Sequence, residues 1–264
     1  APAESFESEP PEARRVTLHL DPSDPLIESH KVAGVAVLPG MATVALAFQA
    51  AERLWPGRSV ALTDLVWSRP LTVEAETSAT LDLAEDGEVV LRDEAGETCA
   101  RGRLVPQAEE ILGAAPKPLV GGALVDGYDL YTRLREGGLA YGAAHRGLRA
   151  VRVLGAEAEA ELALPAGRDG LARAAWLDAC LHGVAALAKP KEGAAVPFAL
   201  REMRLRRVLP ERATVRILKR PDGEYDIAVC DAAGAAVAQM KGLVLRRLSG
   251  DRPTPETRAG DGAG

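Results

Sequence analysis

The stretch from His30 to Gly40 places an imidazole just before a glycine-containing turn and the start of an apolar helix. Pro39 suits the first turn of a helix, or the residue before it, because it has no N–H group to satisfy. Gly40 allows the backbone to come close to whatever lies at the helix start. The free N–H groups and the dipole of that helix end can hold an oxygen atom of a substrate. The pattern predicts proton abstraction beside a polarised carbonyl, and the alternative is a surface-loop histidine ahead of a core helix.

A second candidate group lies on another apolar helix, where Asp178 and His182 are four residues apart and share one face. A carboxylate on such a helix is costly to bury unless it is paired or protonated. Burial would raise its pKa from about 3.9 towards neutrality, which is what a general acid needs. One alternative is a solvent-facing pair on a half-exposed helix. Another is a metal site that also includes His30, but the spacing does not require it and we expect no metal.

Two apolar helices are therefore expected to position the chemistry. The first extends to Trp55, and the second covers 174–188 and is rich in alanine. The first shows helical periodicity on one face, formed by Met41, Val44, Ala45, Phe48, Ala51 and Leu54. A short helix is predicted at 128–135. Strands are predicted at 16–20, 60–73, 77–83, 88–92, 98–105, 148–154, 157–164, 198–208, 213–219, 224–230 and 235–247.

The two halves of the chain follow the same plan. Residues 60–71 resemble 198–209, and residues 98–105 resemble 237–244. One helix followed by a long antiparallel meander, occurring twice, indicates an internal duplication. A sheet wrapped around one helix would bury that helix on nearly all sides, which explains why both helices are so apolar. The sequence thus predicts an α+β protein.

The domain boundaries follow from composition. The predicted segments are an N-terminal linker at 1–14, a first half at 15–110, a connector at 111–127, a second half at 128–248 and a C-terminal linker at 249–264. Because linkers flank the body and the chain begins with Ala, we expect a domain of a longer protein.

Charge and composition narrow the function classes. A net charge of −6 argues against a nucleic-acid or acidic-membrane binder. The sequence has no run of about 18 apolar residues and no signal-peptide pattern. Cys99, Cys180 and Cys230 are widely spaced and form no CxxC pair, so we expect reduced thiols in a cytoplasmic protein.

The candidate residues resemble the motifs of polyketide synthase dehydratase domains. His30, Gly34 and Pro39 have the spacing of the HxxxGxxxxP motif of that family. Asp178 and His182 have the spacing of its DxxxQ/H motif.

Two further segments occur in the order of the same family. Residues 138–147, GLAYGAAHRG, resemble its GYxYGPxFQG segment, and residues 196–198, VPF, resemble its LPF stretch. With the strands around them, the four motifs span nearly the whole body, 16–247. The resemblance implies a double hotdog, meaning two tandem hotdog folds, each a long antiparallel sheet around a central helix. It places the active site between them.

The resemblance also implies roles for residues. His30 would be the base that removes the α-proton of a β-hydroxyacyl thioester, and Asp178 would protonate the departing hydroxyl. His182 would orient the Asp178 carboxyl, and Tyr141 would form a hydrogen bond nearby. Backbone N–H groups at the start of the first helix or in the 141–142 loop would hold the thioester carbonyl. Further implied site residues are Gly34 and Pro39 in support, and Leu38, Gly40, Gly142, Pro197 and Phe198 along the substrate tunnel.

The implied partners follow from the same family. The substrate would arrive on the phosphopantetheine arm of an acyl carrier protein, and we expect no bound cofactor. Neighbouring polyketide synthase domains and a second copy in a homodimer are the other expected partners. No nucleic-acid or membrane partner is expected.

The chain departs from the family pattern in the third motif. Leu139 and His145 stand at positions where the family usually has Tyr and Phe, and Ala143 and Arg146 replace its Pro and Gln. Ala143 loosens a loop that Pro would stiffen. His145 puts another imidazole near the tunnel or points to solvent. Two other functions stay open: a dehydratase that also closes a cyclic ether or shifts a double bond, and a non-catalytic carrier-binding module.

Overall fold

The computed structural model describes residues 15–107, 112, 116–165, 170–188, 195–206 and 208–247. The predicted linkers at 1–14 and 249–264, and part of the predicted connector, lie outside the described residues. The first half contains β1 (Arg15–Leu20), α1 (Pro25–Glu28), β2 (His30–Val32), β3 (Val35–Ala36), α2 (Met41–Leu54), β4 (Val60–Trp67), β5 (Thr77–Leu83), β6 (Glu88–Asp93) and β7 (Thr98–Pro106). The second half contains β8 (Ala123–Asp126), α3 (Gly127–Glu136), β9 (Leu139–Tyr141), β10 (Leu148–Leu154), β11 (Glu157–Ala163), α4 (Gly170–His182), a 3-10 helix (Gly183–Leu187), β12 (Ala195–Leu205), β13 (Arg212–Lys219), β14 (Tyr225–Asp231) and β15 (Ala236–Arg247).

Both halves contribute to one twelve-stranded sheet, with the order β1-β5-β6-β7-β4-β12-β15-β14-β13-β11-β10-β8. The paired strands are antiparallel. The halves meet where β4 pairs with β12, and the register there places Leu62 opposite Met203 and Leu65 opposite Leu200. All four of these side chains are buried. The joint between the halves is therefore continuous with the core, as expected for an α+β double hotdog.

Helix α2 lies in the core of the first half because almost all of it is apolar. It packs against β4, β5 and α4. The alternating buried residues of β5, Ala79, Leu81 and Leu83, are typical of a strand with one face on the core. The helix begins without a side-chain cap at Gly40. Trp67 Nε1 instead donates to the Gly40 carbonyl at 2.9 Å and fixes the chain at that helix end.

Helix α4 has the same role in the second half, but its bounds differ from the predicted 174–188. It starts at Gly170 and ends at His182, and the chain then tightens into the 3-10 helix. The transition occurs at Gly183, where an added Cβ would lie 2.8 Å from Ile217 Cδ1. Close approach of the backbone to the sheet thus accompanies the change of helix type. No helix among the described residues is long and apolar enough to cross a bilayer.

Two other predicted elements change. The strand expected at 60–73 ends at Trp67, close to Pro70, which cannot donate to a ladder. The connector expected at 111–127 contains β8, which pairs with β10 at the sheet edge. Asp126, the last residue of β8, caps α3 by accepting from the Tyr128 N–H at 2.7 Å. That capping explains why the strand passes directly into a helix.

A second, three-stranded sheet has the order β3-β2-β9 and joins the halves near the helix ends. The β2–β3 turn uses Ala33 (φ 51°) and Gly34 (φ 86°), a pair of positive φ values typical of a tight hairpin. The register of β2 on β9 places His30 opposite Tyr141. This small sheet brings the first predicted motif against the third.

Candidate active site

His30 is buried, not in a surface loop as the alternative would have it. Its exposed fraction is 6%. Its Nδ1 lies 2.8 Å from the Val37 carbonyl, so Nδ1 is the donor and Nε2 carries the lone pair. Burial lowers the pKa of His30, and the charges of His145 and His182 lower it further, against the opposing effects of Asp178 and the Val37 bond. The imidazole is therefore neutral near neutral pH and has a free basic nitrogen.

Asp178 lies on α4 and directs its Oδ2 at three imidazoles. His182 Nε2 lies 3.0 Å from Oδ2, His30 Nε2 lies 3.6 Å from it, and His145 Nδ1 lies 3.7 Å from it. The carboxyl is 3% exposed, so the solvent-facing alternative for Asp178 and His182 does not hold. The structure thus brings together the two predicted motifs, HxxxGxxxxP and DxxxQ/H.

The pKa of Asp178 moves opposite to the sequence prediction. Burial raises it, as expected, but the contacts with His145 and His182, and the positive charge that His30 carries in its protonated form, together lower it well below its usual range. The prediction of a raised pKa was wrong because it considered burial alone, whereas three imidazoles approach one oxygen. In the free protein this carboxyl holds its proton less tightly than a simple buried acid would.

His182 is held by a residue that the sequence reasoning did not single out. Tyr131, on α3, has its hydroxyl 3.2 Å from His182 Nδ1, and the same oxygen accepts from the Leu148 N–H at 3.2 Å. Because the Leu148 N–H is a donor, the tyrosine proton points at Nδ1, and His182 donates to Asp178 through Nε2. Burial raises the pKa of Tyr131 to about 12, so the hydroxyl keeps its proton. The only sequence signal for Tyr131 was its place on the predicted helix at 128–135.

Tyr141 contacts the imidazoles through its ring. Its centroid lies 3.9 Å from that of His182 and 5.4 Å from that of His30. Burial raises the pKa of Tyr141 well above 10, and the charge of Asp178 adds to this. The ring forms one wall beside the reacting groups.

His145 does not point to solvent. Its exposed fraction is 0%, and Nε2 lies 2.8 Å from the Leu26 carbonyl on α1. Its ring centroid lies 5.2 Å from that of His30. The residue that replaces the usual Phe is thus part of the cluster.

One of the two positions predicted to hold the thioester carbonyl is occupied within the protein. The Gly142 N–H donates to the Ser29 carbonyl at 2.7 Å, so it is not available to a substrate carbonyl. The start of α2 remains, with Pro39 and Leu38 buried ahead of an uncapped Gly40. Of the two predicted positions, the helix start is therefore the one that stays open as a prediction, although the Ala42 and Thr43 N–H groups already donate to the Pro39 and Gly40 carbonyls.

Pro197 and Phe198 lie on β12, and their described contacts are with β15 rather than with the imidazole cluster. Pro197 is opposite Leu245. The Arg246 guanidinium carbon lies 3.6 Å from the centroid of the Phe198 ring, which is a cation–π contact. Gly34 contributes to the site through the turn after His30.

The described residues contain no group of three or more His, Cys, Asp or Glu arranged to hold a metal ion. The three imidazole nitrogens converge on Oδ2 of Asp178 itself, so this oxygen occupies the centre where a metal ligated by the histidines would have to lie.

Two family models match the chain. One, described as a polyketide synthase dehydratase domain, matches residues 4–95, and the other, described as a polyketide synthase dehydratase N-terminal domain, matches residues 120–255. Polyketide synthase ThaG of Burkholderia thailandensis is 31% identical over 92% of this chain, and mycoketide-CoA synthase of Mycobacterium tuberculosis is 30% identical over 89% of it. The chain spans only 5% and 6% of the length of these two relatives.

Solved dehydratase domains share the fold. The dehydratase domain of RzxB from Pseudomonas fluorescens is 26% identical, with a TM-score of 0.76, over 88% of this chain and 94% of that one. The dehydratase domain from the CurF module of curacin polyketide synthase is 17% identical, with a TM-score of 0.74, over 89% and 93%. The expected double hotdog is thereby confirmed.

Proposed function

The chain belongs to the polyketide synthase dehydratase family, and from this premise we propose that it removes water from a β-hydroxyacyl thioester to give an α,β-unsaturated chain. The observation that carries the proposal is the pairing of a neutral His30, with its Nε2 lone pair free, and the Asp178 carboxyl 3.6 Å away. A base and an acid that reach neighbouring carbons of the same substrate are what an elimination of water needs.

His30 takes the α-proton in this reaction. Its Nδ1 is engaged with the Val37 carbonyl, so the basic nitrogen is Nε2, which faces the site. The lowered pKa keeps that nitrogen unprotonated near neutral pH. The thioester carbonyl lies at the start of α2, where N–H groups and the helix dipole stabilise negative charge on its oxygen and so acidify the α-carbon.

Asp178 delivers a proton to the β-hydroxyl as the Cβ–O bond breaks. The electron pair of the Cα–H bond becomes the second bond between Cα and Cβ, and the oxygen leaves as water. His182 donates to Oδ2 and is itself fixed by Tyr131, so the carboxyl keeps one orientation. Asp178 thus keeps the same orientation before and after it transfers the proton.

The substrate arrives on the phosphopantetheine arm of an acyl carrier protein, and the domain works without a bound cofactor of its own. Its similarity to segments of much longer polyketide synthases supports neighbouring domains as partners. We extend the proposal to a homodimer in the cytoplasm.

Intact-protein mass spectrometry of a carrier protein loaded with a β-hydroxyacyl chain tests the activity. The wild-type domain should lower the mass by about 18 Da, and His30→Ala and Asp178→Asn should each slow this by about 10²–10⁴-fold. His19→Ala is the matched control, because His19 is exposed on β1. If the wild-type domain causes no water loss and no exchange of the α-proton with D₂O on several acyl chains, the proposal is refuted.

A further inference from the structure

His145 is held in one tautomer by the chain around it. Its ring is buried between α1 and the site, and Nε2 lies 2.8 Å from the Leu26 carbonyl. A carbonyl oxygen can only accept, so Nε2 carries a proton. A neutral His145 therefore presents a lone pair at Nδ1.

That lone pair faces the acid of the proposed reaction. Nδ1 lies 3.7 Å from Asp178 Oδ2 and, although fully buried, has no hydrogen-bond partner among the described residues. A neutral imidazole and a carboxylate would face each other as two acceptors in a site shielded from water. Such an arrangement is unfavourable, because a buried polar atom without a partner loses its hydrogen bonds to water and gains none in return.

The neighbouring groups do not relieve the conflict. His30 also presents a lone pair to Oδ2, because its Nδ1 donates to Val37. His182 does donate to Oδ2 through Nε2, but that bond provides no donor to His145 Nδ1. Tyr141 flanks the cluster with its ring 6.2 Å from that of His145. A single proton between Nδ1 and Oδ2 removes the repulsion, and closure of their 3.7 Å gap to about 3 Å would complete a hydrogen bond.

We propose that His145 is a positioning residue that stores the acid's proton, which lies between His145 Nδ1 and Asp178 Oδ2. The proposal rests on the proposed dehydration and deepens it. It also explains how a carboxyl with a lowered pKa can act as an acid: the proton is a property of the pair and not of the carboxyl alone. A phenylalanine at this position could not hold a proton.

The proton balance closes over one turnover. The stored proton passes through Asp178 to the departing hydroxyl, which leaves as water, while His30 Nε2 gains the α-proton. The domain then holds a protonated His30, an ionised Asp178 and a neutral His145. Transfer from His30 through Oδ2 to His145, over contacts of 3.6 and 3.7 Å, restores the starting state. No proton has to enter from solvent.

His145→Gln separates the proton store from a structural role. The glutamine amide can reach the Leu26 carbonyl as Nε2 does, but it places no basic nitrogen opposite Oδ2. Without His145 the proton is held by the Asp178 carboxyl alone. That carboxyl holds it weakly, because His182 stabilises the anion. The alkaline limb of the kcat/KM profile should therefore move down by about one pH unit, and kcat should fall about tenfold near neutral pH, with KM little changed. His19→Gln is the matched control and should keep the wild-type profile.

Nuclear magnetic resonance of ¹⁵N-histidine-labelled protein gives a second readout without substrate. A strongly deshielded proton bonded or shared at His145 Nδ1 should be present in the wild type and absent from both His145→Gln and Asp178→Asn. A wild-type pH profile in His145→Gln, or an Nδ1 of His145 that carries no proton near neutral pH, would overturn the proposal that His145 stores the proton. If the wild type dehydrates its substrate in the same series, the proposed function stands even when the store fails.

Discussion

His30 and Tyr141 lie directly opposite each other on β2 and β9, although they come from different halves of the chain. The pairing fixes the proposed base, from the first half, against the tyrosine of the second half that packs on His182. The distance between His30 and Asp178 is thus set by backbone hydrogen bonds as well as by side-chain packing. Changes that move β9 away from β2 should impair the reaction without removing any reacting group.

Gly142→Ala tests this dependence. A Cβ at Gly142 would lie 2.6 Å from Ser29 Oγ and 2.9 Å from Ser29 Cβ, so the chain after β9 has to shift. Because displacement by about 1 Å can cost about 10²-fold in rate, we expect kcat for water loss to fall by about 10–100-fold. The assay is the mass change of the loaded carrier protein.

Ser29→Gly should partly rescue that variant, because it removes the two atoms nearest to the new Cβ and leaves only Ser29 Cα, at 3.2 Å. The double variant should be faster than Gly142→Ala alone, a non-additive result expected for residues in contact. Equal rates for Gly142→Ala and wild type would show that the site tolerates a displaced β9.

Tyr131→Phe should lower kcat about tenfold, because it removes the hydroxyl that fixes the His182 tautomer and so disturbs the Asp178 carboxyl. It also leaves the buried Leu148 N–H without its acceptor, which should lower the unfolding free energy by about 1–3 kcal/mol. Kinetics and urea unfolding measure the two effects separately. Tyr128→Phe on the same helix changes an exposed ring and should alter neither quantity.

Acid should destabilise the domain through its buried histidines. Burial lowers the folded-state pKa values of His30 and His182, so the unfolded chain binds protons first as pH falls. The stability that these groups contribute is present above their unfolded pKa of about 6.5 and is lost below it. Urea unfolding should therefore give a lower unfolding free energy at about pH 5.5 than at about pH 7.5, and each group can contribute at most about 1.4 kcal/mol per pH unit.

Histidine variants identify the source of that slope. His182→Gln should flatten the pH dependence, whereas His19→Gln should leave it unchanged because His19 is exposed. An unfolding free energy that is constant over this pH range would contradict the assignment of neutral, buried imidazoles.

Trp67→Phe should lower the unfolding free energy by about 1 kcal/mol, because the Nε1–H bond to the Gly40 carbonyl is lost at the start of α2. Since that helix end is the proposed holder of the thioester carbonyl, kcat should fall as well. Trp55→Phe, at the opposite end of α2, is the comparison and should spare kcat. Equal kinetic effects of the two changes would argue against a special role for the Gly40 end.

Local sequence patterns predict the helices and strands of this fold, but they do not predict which strands pair. The apolar run with helical spacing identified α2, which is buried on nearly all sides. Alternation identified β5 with its observed bounds, because burial of one face of a strand dictates the residue type at every second position. The pairing of β4 with β12 joins two strands that are no more apolar than many other strands of the chain. No local pattern specifies that pairing.

The site was predictable where motifs carried it. The sequence singled out His30, Asp178 and His182, and the structure places them together. It missed Tyr131 and left open whether His145 lies near the tunnel or points to solvent, because both depend on which loops and helices meet in space. The direction of the Asp178 pKa shift was missed for the same reason: three nitrogens from separate segments converge on one oxygen.

The β4–β12 joint also has a consequence for biosynthesis. As the chain emerges from the ribosome, α2 and β4–β7 are complete long before β12 exists. During that interval β4 is an open edge with unpaired backbone donors and acceptors, the kind of edge that recruits other strands. The first half thus depends on rapid synthesis and pairing of β12. A chain truncated after β7 should be prone to aggregation through the exposed edge of β4.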